Sequence, residues 1–305
     1  MLNFIAKRLI SLIPIVFGVV CIVSLMIHLI PGDPIDRIVG DFTTQEAKEA
    51  LRAQLGLNLS FVDQLLIFFK KILHGDLGIS LIYNRPVLDM ISERFFATVE
   101  LALGSLVFAL LFGIPLGTLG AVKKNKTLDK LAMTFSLLGI AIPNFCLGPI
   151  FIYIFSLKLN LLPVSERTNF ASYILPCLTI GIALAAIISR MTRNTLLDTL
   201  GEDYVRTAKA KGVHPALVVL KHALRNAALP LVTIVGLQFG VLLTGAVVTE
   251  KIFDWPGLGT LMLEALGNRD YPVVQGCILI FSTLYLLVNL LTDLMYKIVD
   301  PRVRL

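Results

Sequence analysis

The stretch Gly201–Asn226, GEDYVRTAKAKGVHPALVVLKHALRN, is polar, basic and punctuated by glycine, yet it stands between two runs of almost purely apolar residues. Glu202 to Lys211 contains good helix formers, Gly212 can supply a left-handed stop, and Pro215 suits the first turn of a second helix. Leu217, Val218, Leu220 and Leu224 supply the apolar residues of that second helix. The segment therefore reads as helix, glycine turn, helix. A basic loop that only obeyed the positive-inside rule would need neither caps nor an amphipathic face.

The flanks decide the class. In 305 residues, 56% are hydrophobic and 16% charged, which leaves too little polar surface to cover a globule. The chain is predicted to be an all-α polytopic membrane protein. The net charge of +6 is spread over loop ends rather than gathered on one face, so membrane orientation explains it better than nucleic acid, and no nucleic-acid partner is expected. Six runs are long enough for a bilayer core of about 30 Å, which needs about 20 helical residues. They fall near Leu9–Ile30, Val99–Val122, Leu131–Leu157, Tyr173–Ser189, Leu229–Thr249 and Pro272–Tyr296, the fourth being the shortest.

Lys and Arg are densest at Lys7 and Arg8, between Lys123 and Lys130, between Arg190 and Arg225, and from Lys297 to Arg304. These segments are expected on the cytoplasmic side, with both termini. The first apolar run is longer than a signal-peptide core of about 7 to 15 residues and has no small-residue cleavage site after it, so it reads as an uncleaved span. Cys21, Cys146, Cys177 and Cys277 lie within spans without paired spacing and read as small buried hydrophobes.

Three parts follow: residues 1–30 as tail and first span, 31–98 as an extracytoplasmic segment, and 99–305 as the core, whose cytoplasmic loop covers 190–228. In the outer segment, Thr43 and Glu46 form a capping box, Ala47, Ala50, Leu51 and Leu55 share a helical face, and Gly56 ends that helix. Ser60 caps a second amphipathic helix centred on LLIFF, too short and too charged to span and suited to the membrane interface. GDLGIS at Gly75–Ser80 and NRPV at Asn84–Val87 suit either a docking surface or ordinary turns.

The chain contains no phosphate loop of the GxxxxGK[ST] form, no HExxH, no CxxC and no recognisable Ser, His and Asp set. No catalytic residue, metal or bound cofactor is expected, and an ATPase would have to be another subunit. Ion-coupled carriers hold carboxylates or histidines within the membrane, whereas here Glu100, Glu250, Asp293 and His28 sit at or near span ends. Asn144, Thr233, Gln238, Thr244 and Asn289, with Pro143, Pro176 and Thr179, could line a polar but weakly charged path or bond between helices. Gly113, Gly117 and Gly120 read as close-packing positions.

Over essentially its whole length the chain resembles the inner-membrane permease subunits of peptide-type ABC importers, the dipeptide, oligopeptide, nickel and glutathione group. The matching stretches are FIAKRL and LIPGDP at the first span, GDLGIS with NRPV, EDYVRTAKAKG followed by KHALRNA and LP, then EKIFDWPGLG, RDYPVVQG and the terminal DPRVRL. The resemblance implies a type I importer fold and a non-catalytic translocation subunit for di- or oligopeptides, or for glutathione or nickel chelates. It further implies a second, different permease, two ATP-binding subunits that hold ATP and magnesium, and a soluble binding protein outside. The basic segment corresponds to the EAA loop that docks on the ATPase, with Asp203, Tyr204, Arg206, Thr207, Ala208, Lys209, Lys211 and Gly212 as its contact, and Arg206 stands where the general motif has glutamate. PGDP, GDLGIS and WPGLG would form the mouth that meets the binding protein, with Asp76, Arg85 and Trp255 as docking residues.

Overall fold

The computed structural model describes residues 10, 14–25, 35, 44–54, 56, 58–165 and 167–299. Its helices are α1 Pro14–Leu25, α2 Gln45–Gln54, α3 Phe61–Leu73, α4 Val87–Val122, α5 Thr127–Ala141, α6 Asn144–Phe151, α7 Ala171–Leu200 and α8 Asp203–Ala210. They continue as α9 Pro215–Leu217, α10 Leu224–Gly245, α11 Val247–Ile252, α12 Leu258–Asn268 and α13 Tyr271–Val299. Two π-helical stretches, Ile152–Lys158 and Val218–Ala223, extend α6 and join α9 to α10. The chain divides into two compact units, Met1–Thr98 with Pro256–Leu286 and Val99–Trp255 with Leu287–Leu305.

In the first unit, Val87, Met90 and Ile91 of α4 pack with Leu258, Leu261 and Ala265 of α12 and with Val273, Val274 and Cys277 of α13. Phe68 of α3 and Val20 of α1 join this core, and Phe17 stacks on Phe69 with ring centroids 4.9 Å apart. The Ser60 hydroxyl accepts from the Asp63 amide at 3.3 Å, as expected of an N-cap, and Gly56 has φ +70. Thr43 lies outside the described residues; the Ala47 amide donates to the Thr44 hydroxyl at 3.4 Å.

The second unit is organised around α7, which packs along α4 and α5. A Cβ added at Gly113 would stand 2.8 Å from the Ala185 carbonyl oxygen, one at Gly104 2.6 Å from Cys177 Sγ, and one at Gly139 2.8 Å from Ala186 Cβ. Small residues thus bring these backbones together where lipid supplies no hydrophobic drive. A Cβ at Gly117 would come closer still to the Ser189 carbonyl oxygen and stand 2.7 Å from Thr192 Cβ, whereas Gly120 has only ordinary contacts at 3.5 Å.

Helices α4, α7, the run Pro215–Leu243 and the run Tyr271–Tyr296 are long and apolar enough to cross a membrane. The third expected span is not one rod: α5 and the α6 run meet at a bend of 101°. The cause is local, because Pro143 excludes its predecessor from helical backbone, and Ile142 sits at φ −88, ψ 117. Of the first expected span, Leu9–Ile30, residues 10 and 14–25 are described, and Pro14–Leu25 form α1, an apolar helix shorter than lipid length. The fourth proves long, since α7 continues past Ser189 to Leu200 with Thr192 and Leu196 buried and the Thr195 and Thr199 hydroxyls bonded to carbonyls one turn back.

Candidate functional site: the basic loop and two polar centres

The segment 190–228 is helical through most of its length. Its centre is α8, whose end forms a Schellman closure: Gly212, at φ +74, donates to the Lys209 carbonyl at 3.0 Å, and Val213 donates to the Ala208 carbonyl at 3.2 Å. His214 Nδ1 then accepts from the Ala216 amide at 3.4 Å, and Pro215 occupies the first turn of α9. Val205 and Ala208 are buried against Val218, with Leu200 and Val213 around them. Asp203, Tyr204, Arg206, Thr207, Lys209, Lys211 and Gly212 are exposed together, and Leu217 and Leu220 are exposed beyond them. Ala208 is the exception among the expected contact residues: at 8% exposure it anchors the helix from beneath rather than presenting itself. Arg206 and Asp203 form an exposed ion pair at 3.4 Å, a geometry that contributes at most about 1 kcal/mol.

Two charged centres in the second unit have no local sequence signature. Arg193 on α7 forks onto Asp129 at the start of α5, with Nε at 2.5 Å and Nη2 at 2.9 Å, and the Asn125 amide donates to the same carboxylate at 2.8 Å. Asp129 precedes the apolar stretch that opens at Leu131, and the Arg193 hydrogen bond holds its carboxyl down at about 2 against the opposing effect of burial. The Asn125 amide and the field of Lys124 act in the same direction as Arg193. At the far end of α7, Glu100 Oε2 accepts from Arg167 Nη2 at 2.6 Å, from Arg167 Nε at 2.9 Å and from the Tyr173 hydroxyl at 2.8 Å. This trio rims a cavity of about 990 Å³.

The proposed path residues are spread over α6, α10 and α13. On α10, Gln238 is turned away from Thr233 by about 140° at 100° per residue. The Thr233 hydroxyl donates to the Leu229 carbonyl of its own helix at 3.1 Å. Asn144 opens α6 just after the bend, and Asn289 is half-buried on α13.

Of the docking residues, Asp76 accepts from the Gly78 amide at 2.8 Å inside a turn, and Arg85 pairs with Glu93 in the open. Trp255 is a correction: at 1% exposure, packed edge-on to Tyr173 with centroids 4.8 Å apart, its side chain offers no docking surface. GDLGIS and RDYP prove to be one structure, because buried Asp270 accepts from the Ser80 hydroxyl at 2.5 Å and from the Leu81 amide at 3.1 Å. Among the described residues no cluster of three or more His, Cys, Asp or Glu could hold a metal.

A helical bundle with several lipid-length apolar helices, close glycine packing and an exposed basic helix on a Schellman turn defines a multi-pass membrane component. The chain belongs to the family of binding-protein-dependent transport system inner membrane components, whose model matches residues 113–305, with the family's N-terminal part matching 1–102. It is 45% identical over 304 residues, covering 100% of this chain and 99% of the relative, to the glutathione transport system permease protein GsiC of Escherichia coli strain K12. The GsiC of Shigella dysenteriae serotype 1 matches at the same 45% identity and coverage. Among solved structures, a chain of the inward-facing MetNI methionine ABC transporter is similar with TM-score 0.60 at 20% identity, covering 70% of this chain and 97% of that one. A chain of an amino acid ABC transporter crystallised with histidines is similar with TM-score 0.54 at 14% identity, covering 69% of this chain and 94% of that one. The protein is therefore a multi-pass inner-membrane permease subunit of an ABC importer, a transport component of a system that includes ATPase and substrate-binding partners.

Proposed function

We propose that this chain is one of two related but non-identical permeases of an ATP-driven importer for short peptides, with glutathione the favoured cargo. Two ATP-binding subunits hold ATP and magnesium on the cytoplasmic side, where both termini and the segment 190–228 lie, and a soluble binding protein delivers cargo outside. The observation that carries the coupling role is the exposed face of α8, where Tyr204, Arg206, Lys209 and Lys211 stand on a helix fixed from beneath by Val205 and Ala208. A docked helix transmits work only when its contacts differ between the two states of its partner, and a stiff helix on a closed turn passes such a difference on. Glutathione is favoured over other peptides by the full-length relationship to the GsiC permeases.

The test is uptake of labelled glutathione and of a dipeptide into proteoliposomes holding the complete transporter, with binding protein outside and ATP inside. Uptake should require both binding protein and hydrolysable ATP. Uptake that persists without ATP but collapses with an ion gradient would replace this function with ion-coupled carriage.

A further inference from the structure

The Glu100, Arg167 and Tyr173 trio is not used by the basic loop; its Tyr173–Glu100 hydrogen bond ties the start of α7 to α4 and leaves Arg167 paired at the same place. Ionisable groups near the ends of apolar helices are placed against a wet path or a partner rather than against lipid. Here they stand over the cavity of about 990 Å³, whose walls include Leu103, Val107, Phe108 and Ile174. Neither charged side chain is buried, with Arg167 at 33% and Glu100 at 39% exposure. A pair this exposed contributes at most about 1 kcal/mol to the fold, so opening it costs little. The framework around it is firm: Tyr173 is braced by buried Trp255. A solute that brings its own ammonium and its own carboxylate can split the pair and leave every charge partnered, whereas a solute with one charge leaves a protein charge orphaned. Cavities of roughly 300–1,000 Å³ accommodate compact organic ligands, and the apolar walls suit a side chain.

We propose that this rim accepts a zwitterionic short peptide on its way through the permease, with Glu100 taking the ammonium, Arg167 the carboxylate and the wall beneath them the side chain. The proposal rests on a short peptide being the cargo, and it adds the place where the cargo's two ends are read.

The test uses the assembled transporter in proteoliposomes, with Leu103→Cys as a reporter on the cavity wall and Cys21, Cys146, Cys177 and Cys277 replaced by alanine. The rate of labelling by a charged maleimide is measured without binding protein, alone or with glycyl-leucine, N-acetylglycyl-leucine or glycyl-leucinamide at millimolar concentration. Glycyl-leucine should slow labelling about tenfold and the two blocked forms only slightly, a difference equivalent to roughly 1.4 kcal/mol. Glu100→Gln should remove the preference over the acetylated form and Arg167→Gln the preference over the amide; if one variant does not assemble, the other decides. Equal protection by all three probes, no protection by any, or preferences unchanged in these variants would overturn the site. Uptake of glycyl-leucine by the same vesicles with binding protein and ATP reports on the proposed function separately. Transport with indiscriminate labelling removes only this inference.

Discussion

Replacing Asp129 by alanine removes the acceptor of two Arg193 hydrogen bonds and one Asn125 amide bond. The remaining guanidinium is enclosed: Arg193 is 16% exposed and has Asn194 Oδ1 within 3.4 Å as its other acceptor. Removing one partner of a fully buried pair costs about 3–5 kcal/mol, and residual water access together with the Asn194 contact brings the expected loss to about 2–3 kcal/mol. Arg193→Met should cost at least as much, because Asp129 is the more deeply enclosed partner at 5% exposure. The double variant Asp129→Leu/Arg193→Met should lose less than the sum of the singles by about 1–3 kcal/mol. The assay is denaturation of the purified permease in detergent, followed as a double-mutant cycle. The pH dependence has a definite sign: a depressed carboxylate stabilises fully above its unfolded value of 3.8 and loses that contribution as pH falls towards about 2. The difference between parent and Asp129→Ala should therefore stay constant across about pH 5–8. Additive singles, a loss below about 0.5 kcal/mol, or a difference that closes within that pH range would refute the role assigned to the pair.

Gly212→Val places a β-branched side chain at φ +74 and should cost about 1–3 kcal/mol locally. The permease should insert normally, retain less ATPase subunit on purification and transport less; unchanged retention and transport would exclude the turn from coupling. Arg206→Glu should weaken the same association, with a dependence on salt that the Gly212 variant lacks. Gly113→Ala forces α7 away from α4 and should cost about 1–3 kcal/mol in the same denaturation assay, whereas Gly120→Ala, facing 3.5 Å contacts, should be nearly neutral; equal effects would dismiss close packing as the reason for the glycines. Asp270→Ala should speed hydrogen exchange of the Leu81 amide, measured by mass spectrometry, and leave the Ser60 cap region unaffected.

What was legible in the sequence was whatever depends on near neighbours. The turn at Gly212, the cap at Ser60 and the helix start at Pro215 follow from chemistry spaced over three to six residues, and each takes the conformation expected of it. Hydropathy measured how much apolar chain there is but not its direction, so the run through Pro143 read as one span although the residue before that proline leaves the helix. The polar end of α7 read as loop because Arg190 and Arg193 mark a membrane boundary, while the burial of Thr192 and Leu196 that keeps it helical comes from tertiary packing. Glu100 and Arg167 are 67 residues apart, and Asp129 and Arg193 are 64 apart; no local pattern joins either pair. Asp129 did stand out as an acid among Lys123, Lys124, Lys126 and Lys130, a signal that could have prompted a search for a buried arginine. Trp255 was assigned to the outer mouth with the rest of WPGLG, whereas its large apolar indole is drawn beneath Tyr173.

One helix carries both charged centres. Tyr173 and Arg193 sit on α7 at a separation of roughly 30 Å by helical rise, and Pro176 interrupts the hydrogen-bond ladder only near the Tyr173 end. From there α7 runs to Leu200, and the chain turns at Gly201 and the extended Glu202 before α8 begins at Asp203. Such a shaft is stiff to axial load, so under the coupling role proposed for α8 a displacement that reaches Leu200 would be carried along α7 to the Tyr173 end. A twist about the same axis would turn the phenol at one end and the guanidinium at the other by similar angles, so the proposed peptide rim and the hold on α5 would share one mechanical degree of freedom.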